Sequence, residues 1–173
     1  MKIQPLTSKD YDRVSALLRE AFPDSTYEVE LFKNLHKNGK TLHEWVCIHC
    51  GRIIAYVAFS NAYAQENACG FHLAPIAVNP KFQKQGIGAE LLRFALRQVI
   101  LKESTIFVLG APDFYQKFGF EHCAAPVCPF DKNNAHFLSI RNSTTSQYTV
   151  GYEPEFKTGL GVRRKVTPGK KRR

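Results

Sequence analysis

The spacing of apolar and polar positions changes period along the chain, and each change marks a switch of backbone type. Residues 2–6 read as a short strand, after which Tyr11, Val14, Leu17, Leu18 and Phe22 recur at helical spacing. Thr7 or Ser8 supplies a hydroxyl to cap that helix, and Pro23-Asp24 stop it. A second helix over 27–36 carries Val29, Leu31, Phe32 and Leu35 on its apolar side, with Asn38-Gly39 closing it. The period then falls to two. Residues 44–49 and 53–60 are β-rich, and Cys50-Gly51-Arg52 between them predicts an antiparallel hairpin. A strand over 69–78 follows, then a helix over 89–101 with Leu91, Leu92, Ala95, Leu96, Val99 and Ile100 on one broad face. The almost wholly apolar strand over 105–109 is expected at the centre of the sheet. Pro112-Asp113 open a short helix that Gly119 ends, and segments from Phe120, around 136–141 and around 147–152 complete the sheet. Alternating strands and helices without internal repeat predict an α/β layered fold.

The most informative stretch runs from His72 to Gly88. An apolar β-type run empties into Gln83-Lys84-Gln85-Gly86-Ile87-Gly88, and a helix starts directly after it. Glycines let the backbone take positive φ and bring its N–H groups close to a ligand, and a helix N-terminus aims unpaired donors at the same spot. No side chain in the loop repels an anion, and Lys84 adds a positive charge. The plain alternative is a strand-loop-helix joint that uses glycine to turn. Walker A and Rossmann fingerprints are both missing, since neither the Gly-Lys-Ser/Thr ending nor the third spaced glycine is present.

The loop does resemble the Q/R-x-x-G-x-G/A motif of the GNAT superfamily of acetyl-CoA-dependent N-acetyltransferases. Phe114-Tyr115-Gln116-Lys117-Phe118-Gly119-Phe120 is similar to that family's downstream aromatic signature, one helix and one strand later. LAPIAVNP ahead of the loop, with AHFLSIR and VGYEPEF towards the end, resembles the YhbS-like branch of small predicted acetyltransferases. The resemblance implies a mixed, mostly antiparallel sheet splayed at a central strand and flanked by helices. It also implies transfer of an acetyl group from acetyl-CoA to a primary amine, with the pyrophosphate on Gln83, Lys84, Gln85, Gly86, Ile87 and Gly88. Pro75 breaks the rule that central strands avoid proline, so the pairing must relax there. In the family the pantetheine arm lies in a gap at this place, which implies that Ile76 and Val78 offer backbone groups to it; a simple bulge without ligand is the alternative.

Acetyl transfer needs a proton acceptor for the amine and a donor for the departing thiolate. By resemblance Tyr115 is placed near the cofactor sulfur, where a phenol can donate; a core aromatic packed with Phe114 and Phe118 is the alternative. His72 falls where several members carry a glutamate, and an imidazole with an unperturbed pKa near 6.5 would serve as base. Its alternative is a half-buried strand histidine. The acceptor pocket is expected from the first two helices and the C-terminal strands, and the acceptor itself is left open.

Composition refines this picture. With 173 residues and 44% hydrophobic content the chain can bury one sizeable core. No apolar run approaches the ~20 residues of a membrane span, and MKIQPLTSKD lacks a signal-peptide core, so a cytoplasmic protein with reduced thiols is expected. Cys47-Ile48-His49-Cys50 has a spacing that can ligate zinc, but no second pair completes four ligands, and no metal is expected. The formal charge of +9 is concentrated: residues 163–173 hold seven of the 24 basic side chains and no acid, leaving 17 basic against 15 acidic side chains elsewhere. The expected organisation is one domain over 1–160 and a basic, disordered tail over 161–173. That tail would lend solubility or weak contact with nucleic acid or an anionic surface, without aromatic residues for base stacking. A monomer or homodimer fits equally. The alternative to an enzyme is a non-catalytic acetyl-CoA sensor or a nucleic-acid-associated module.

Overall fold

The computed structural model describes residues 1–158, and the basic segment over 161–173 lies outside them. Eight strands form one sheet: β1 (Lys2–Pro5), β2 (Leu42–His49), β3 (Arg52–Ala64), β4 (Asn67–Val78), β5 (Ile106–Leu109), β6 (Glu121–His122), β7 (Phe137–Ile140) and β8 (Val150–Gly151). Their order is β1-β2-β3-β4-β5-β7-β6, with β8 pairing β3 off that path. Only β4 and β5 pair in parallel among these strands. This is the splayed, mostly antiparallel sheet expected from the sequence.

Strand β3 is buried along most of its length because helices cover both faces of the sheet. Its residues alternate: Tyr56 and Ala58 pack with Val14, Leu18, Val29 and Phe32 of α1 (Tyr11–Ala21) and α2 (Tyr27–Lys37). Ala55, Val57 and Phe59 pack with Leu91, Leu92 and Ala95 of α3 (Ile87–Leu96) on the other side. A strand covered on both faces needs apolar residues at every position, which is why 53–59 shows no polar alternation. Two-residue loops tie this central ladder: Cys50 and Gly51, both at positive φ, join β2 to β3, and Gln65-Glu66 join β3 to β4. Strands β3 and β4 are thus longer than the 53–60 and 69–78 spans expected from the sequence pattern.

Two local expectations are corrected. The first helix has no side-chain cap: the Thr7 hydroxyl donates to Asp10 Oδ2 at 2.8 Å, and a 3₁₀ turn over Ser8–Asp10 leads into α1. Helix α3 starts at Ile87 and ends at Leu96, so it does not reach residue 101, and Val99 and Ile100 are exposed, Val99 at 84%. Leu101, fully buried, takes the core position that the longer helix would have offered.

A buried polar cluster sits beneath α2. His36 approaches the Phe32 carbonyl through Nδ1 (2.7 Å) and Glu44 Oε2 through Nε2 (3.0 Å), while the Tyr56 hydroxyl donates to the other Glu44 oxygen. With an acceptor at each ring nitrogen, the imidazolium is the form that satisfies both. Burial opposes that charge, but the hydrogen bond to Glu44, its negative charge and the Phe32 carbonyl outweigh it and raise the His36 pKa above 6.5. A group raised in the folded state stabilises fully below its unfolded pKa, and the contribution is lost as pH rises through the folded pKa. Urea unfolding across pH 5.5–9.0 should therefore show wild type losing stability relative to His36→Gln above pH 6.5. A constant difference between the two proteins across that range would refute the charged pair.

Candidate active site

The sheet opens in its middle. Strand β4 pairs with β5 only at Phe71↔Ile106 and His72↔Phe107, and beyond His72 the two strands part. On its other edge β4 carries a bulge: Val57 faces Ile76 and Phe59 faces Leu73, so Ala74 and Pro75 together oppose Ala58. Proline has no N–H to place in a ladder, and the bulge removes that requirement. Past the bulge, the Asn79 N–H donates to the Ile54 carbonyl at 2.8 Å, which fixes the alternation of the antiparallel ladder. Ala77 therefore bonds towards β3, and the peptide groups of Ile76 and Val78 point into the gap left by β5. Gln83 Nε2 donates to the Val78 carbonyl at 3.0 Å. The N–H groups of Ile76 and Val78 and the Ile76 carbonyl are left for a ligand in the gap.

The gap ends at the glycine loop. Lys84 (φ 59°) and Gly86 (φ 81°) both adopt left-handed backbone, which turns the chain sharply into α3. Gly88 does not share this conformation, contrary to expectation: it lies in the first turn of α3, where an added Cβ would stand 3.1 Å from Val78 Cγ2. Its lack of a side chain lets the helix press against β4, whereas Gly86 opens onto free space. The glutamine side chains also differ from a simple phosphate-ligand role. Gln83 is tied to Val78, and Gln85 Nε2 donates to the Lys81 carbonyl at 3.0 Å, so both brace the loop. The Glu90 N–H is the first to close the helix, on the Gly86 carbonyl at 2.9 Å. The N–H groups just before it, over residues 87–89, face outward with the positive end of the helix dipole and the exposed Lys84. A cradle without a side chain at Gly86, donors at the helix start and an open strand edge fit a pyrophosphate followed by an amide-bearing arm.

At the inner end of the gap lies a cavity of about 280 Å³, bounded by Ala74, Pro75 and Ile76 of β4, by Leu109 at the end of β5 and by Tyr115. Its far wall comes from Phe22, Tyr27, Glu28 and Leu31 near α2, and from Phe130, Tyr152 and Phe156. Tyr115 ends α4 (Pro112–Tyr115), is 7% exposed, and packs edge-on against Phe114 and Phe120. Gly110 makes room for it, since a Cβ there would stand 2.5 Å from Tyr115 Cε2. Burial pushes the phenol up to about 12, so it stays protonated and acts as a donor.

His72 also lines the cavity, but the expectation of an imidazole titrating near 6.5 is corrected. It is 1% exposed, its ring lies flat on Tyr152 with centroids 3.5 Å apart, and Nε2 lies 3.1 Å from the Gly151 carbonyl. Desolvation outweighs that hydrogen bond and lowers the pKa to about 3. The ring is therefore neutral, with its proton on Nε2 facing the carbonyl, and Nδ1 is a buried acceptor without a partner among the described residues.

The sequence did not single out Glu28, whose position in the first turn of α2 reads as ordinary helix-dipole compensation. Tyr152 and Phe156 escaped notice because nothing in their local pattern says that they fold back over β4. Phe156 belongs to a short helix, α5 (Glu155–Thr158), tied to α2 by the Tyr27 hydroxyl, which donates to the Phe156 carbonyl at 3.0 Å.

Comparison with known proteins agrees with this geometry. The acetyltransferase (GNAT) domain family matches residues 40–122. The uncharacterized N-acetyltransferase YhbS of Escherichia coli K12 is 35% identical over 120 residues, which is 66% of this chain and 70% of that protein. A second protein of that strain, the uncharacterized N-acetyltransferase YjhQ, is 33% identical over 78 residues, 43% of each chain. Among solved structures, E. coli YhbS in complex with CoA superposes with a TM-score of 0.81 at 27% identity, covering 90% of this chain and 91% of that one. A GNAT family acetyltransferase from Brucella melitensis in complex with acetyl-CoA gives 0.74 at 23% identity, covering 90% and 97%.

Proposed function

Because the chain belongs to the GNAT superfamily and is an acetyl-CoA-dependent N-acetyltransferase, we propose that its β4–β5 gap holds the cofactor and that the adjoining cavity receives a primary amine. When bound, acetyl-CoA supplies the activated acetyl thioester. The observation that carries this assignment is the gap itself, running from the α3 N-terminus past the open peptide groups of Ile76 and Val78 to Tyr115. Backbone N–H groups of residues 87–89, with Gly86 leaving the approach open and Lys84 beside them, would receive the pyrophosphate, and Gln83 and Gln85 hold the loop in shape. Tyr115 donates to the developing thiolate. His72, neutral and weakly basic, accepts a hydrogen bond through Nδ1 and orients the amine; because a base whose conjugate acid has a pKa of about 3 cannot hold a proton at neutral pH, the one the nitrogen sheds as the C–N bond forms and the thioester C–S bond breaks would pass by way of solvent to the departing thiolate.

Residues 1–160 act as one catalytic domain in this reading, and the segment over 161–173 contributes charge and no catalytic group. Among the described residues no helix is long and apolar enough to cross a membrane. The test is acetyl transfer from labelled acetyl-CoA to a panel of amines, run beside calorimetric binding of acetyl-CoA. Turnover on at least one amine is expected; acetyl-CoA binding without transfer to any amine would turn the reading towards a cofactor sensor.

A further inference from the structure

We infer that Glu28 recognises the acceptor as a cation, and that the acceptor is a small primary amine on an aromatic or aliphatic body without a carboxylate of its own. This rests on the acetyltransferase reading of the cavity and adds the substrate class.

The cavity is unusual in its charge. Its walls are mainly apolar, and among the described residues that line it Glu28 is the one carboxylate, while His72 is held neutral. Glu28 Oε2 is buried and has no hydrogen-bond partner among the described residues. An unpaired buried carboxylate oxygen is costly, and position in a helix first turn does not replace the missing donor. His72 Nδ1, on a ring 1% exposed, is a second buried acceptor without a donor. One cavity thus presents two unmet acceptors, one charged and one neutral. A primary ammonium carries three donors and one positive charge, which is the complement of that pair; it is recognised in this form and gives up one proton to solvent before its nitrogen attacks the thioester.

The remaining wall decides what the ammonium is attached to. Phe22, Leu31, Phe130 and Phe156 present apolar surface, with the Tyr152 ring between them and His72. Burying a phenyl or alkyl body there gains roughly 25 cal/mol per Å². Among the described residues no lysine or arginine lines the cavity, so the carboxylate of an amino acid would enter without a partner from them and beside Glu28. A polyamine or aminosugar would bring several charges and hydroxyls to a site with one carboxylate. The cavity volume, about 280 Å³, also limits the body to a small group.

The experiment uses the full chain loaded with CoA and measures binding of phenethylamine, phenethyl alcohol, phenylalanine and spermidine by calorimetry, followed by acetylation of the three amines. Phenethylamine should bind and be acetylated, with each of the others at least tenfold weaker. Glu28→Gln should weaken phenethylamine by roughly 10- to 100-fold with CoA affinity unchanged, and Glu28→Asp should recover part of the loss. Equal binding of phenylalanine or phenethyl alcohol would overturn the inference, as would an unaffected Glu28→Gln protein. If that variant fails to fold, the ranking of the four ligands on wild type still decides. Acetylation of spermidine with no binding of phenethylamine would sink the substrate class and leave the acetyltransferase reading standing, whereas failure to bind CoA at all would sink both.

Discussion

Gly86→Asp should weaken acetyl-CoA binding by about two orders of magnitude while the protein remains folded. Gly86 has φ 81° and nothing within 4 Å of where a Cβ would sit, so the new side chain meets no steric clash. Its backbone conformation costs a non-glycine residue roughly 1–2 kcal/mol, with aspartate and asparagine among the better tolerated. The larger effect is electrostatic. A carboxylate ~6 Å from the pyrophosphate at an effective dielectric of ~20 costs about 3 kcal/mol, or roughly 100-fold in affinity. Gly86→Asn carries the same backbone cost without the charge and should retain most of the binding. Because the loop is exposed, the gap between the two variants should narrow at high salt. Calorimetry at two ionic strengths checks this, and unchanged affinity in a folded Gly86→Asp protein would remove the pyrophosphate from this loop.

Tyr115→Phe should lower kcat by roughly 10²–10³-fold, the cost typical of removing one donor that meets charge developing in the transition state, with little change in acetyl-CoA affinity. The phenol's elevated pKa, about 12, decides which kind of donation this is. A thiol titrates near 8.5, so full transfer of the phenolic proton to the thiolate would be uphill by about 5 kcal/mol. A hydrogen bond that leaves the proton on Tyr115 avoids that cost and still stabilises the thiolate. Gly110→Ala tests the same group from behind, because the added methyl must displace the ring from Cε2. A misplacement of ~1 Å is worth about 10²-fold, and the loss should largely disappear when Gly110→Ala is made in a Tyr115→Phe background. If single-turnover transfer is unchanged in Tyr115→Phe, the residue is only a packing ring between Phe114 and Phe120.

Much of the architecture was legible because it is written in contiguous residues. The loop over 83–88 places its glycines and the helix start within six positions, so the anion site proposed there needs no tertiary information. Pro75 announced a break in ladder pairing for the same reason: a missing N–H is a local fact. Helix α3 shows where such reading fails. Val99 and Ile100 continue the apolar spacing, yet both are exposed, because periodicity reports which residues can share a face and not whether another element covers it. Gly88 has the local pattern of a turn glycine, and only its approach to Val78 shows that it serves helix packing.

Contiguous residues carry the family, the order of elements and the proposed phosphate end of the site. Tertiary structure decided the acceptor end. His72 looks like an ordinary titrating imidazole until Tyr152 is laid on its ring and the Gly151 carbonyl accepts a hydrogen bond from Nε2; the resulting loss of water turns a base into a neutral acceptor. Glu28 looks like a first-turn carboxylate until Phe22, Phe130 and Phe156 close an apolar cavity around it. Burial and dielectric are collective properties of residues distant along the chain, and they set what an ionisable group can do.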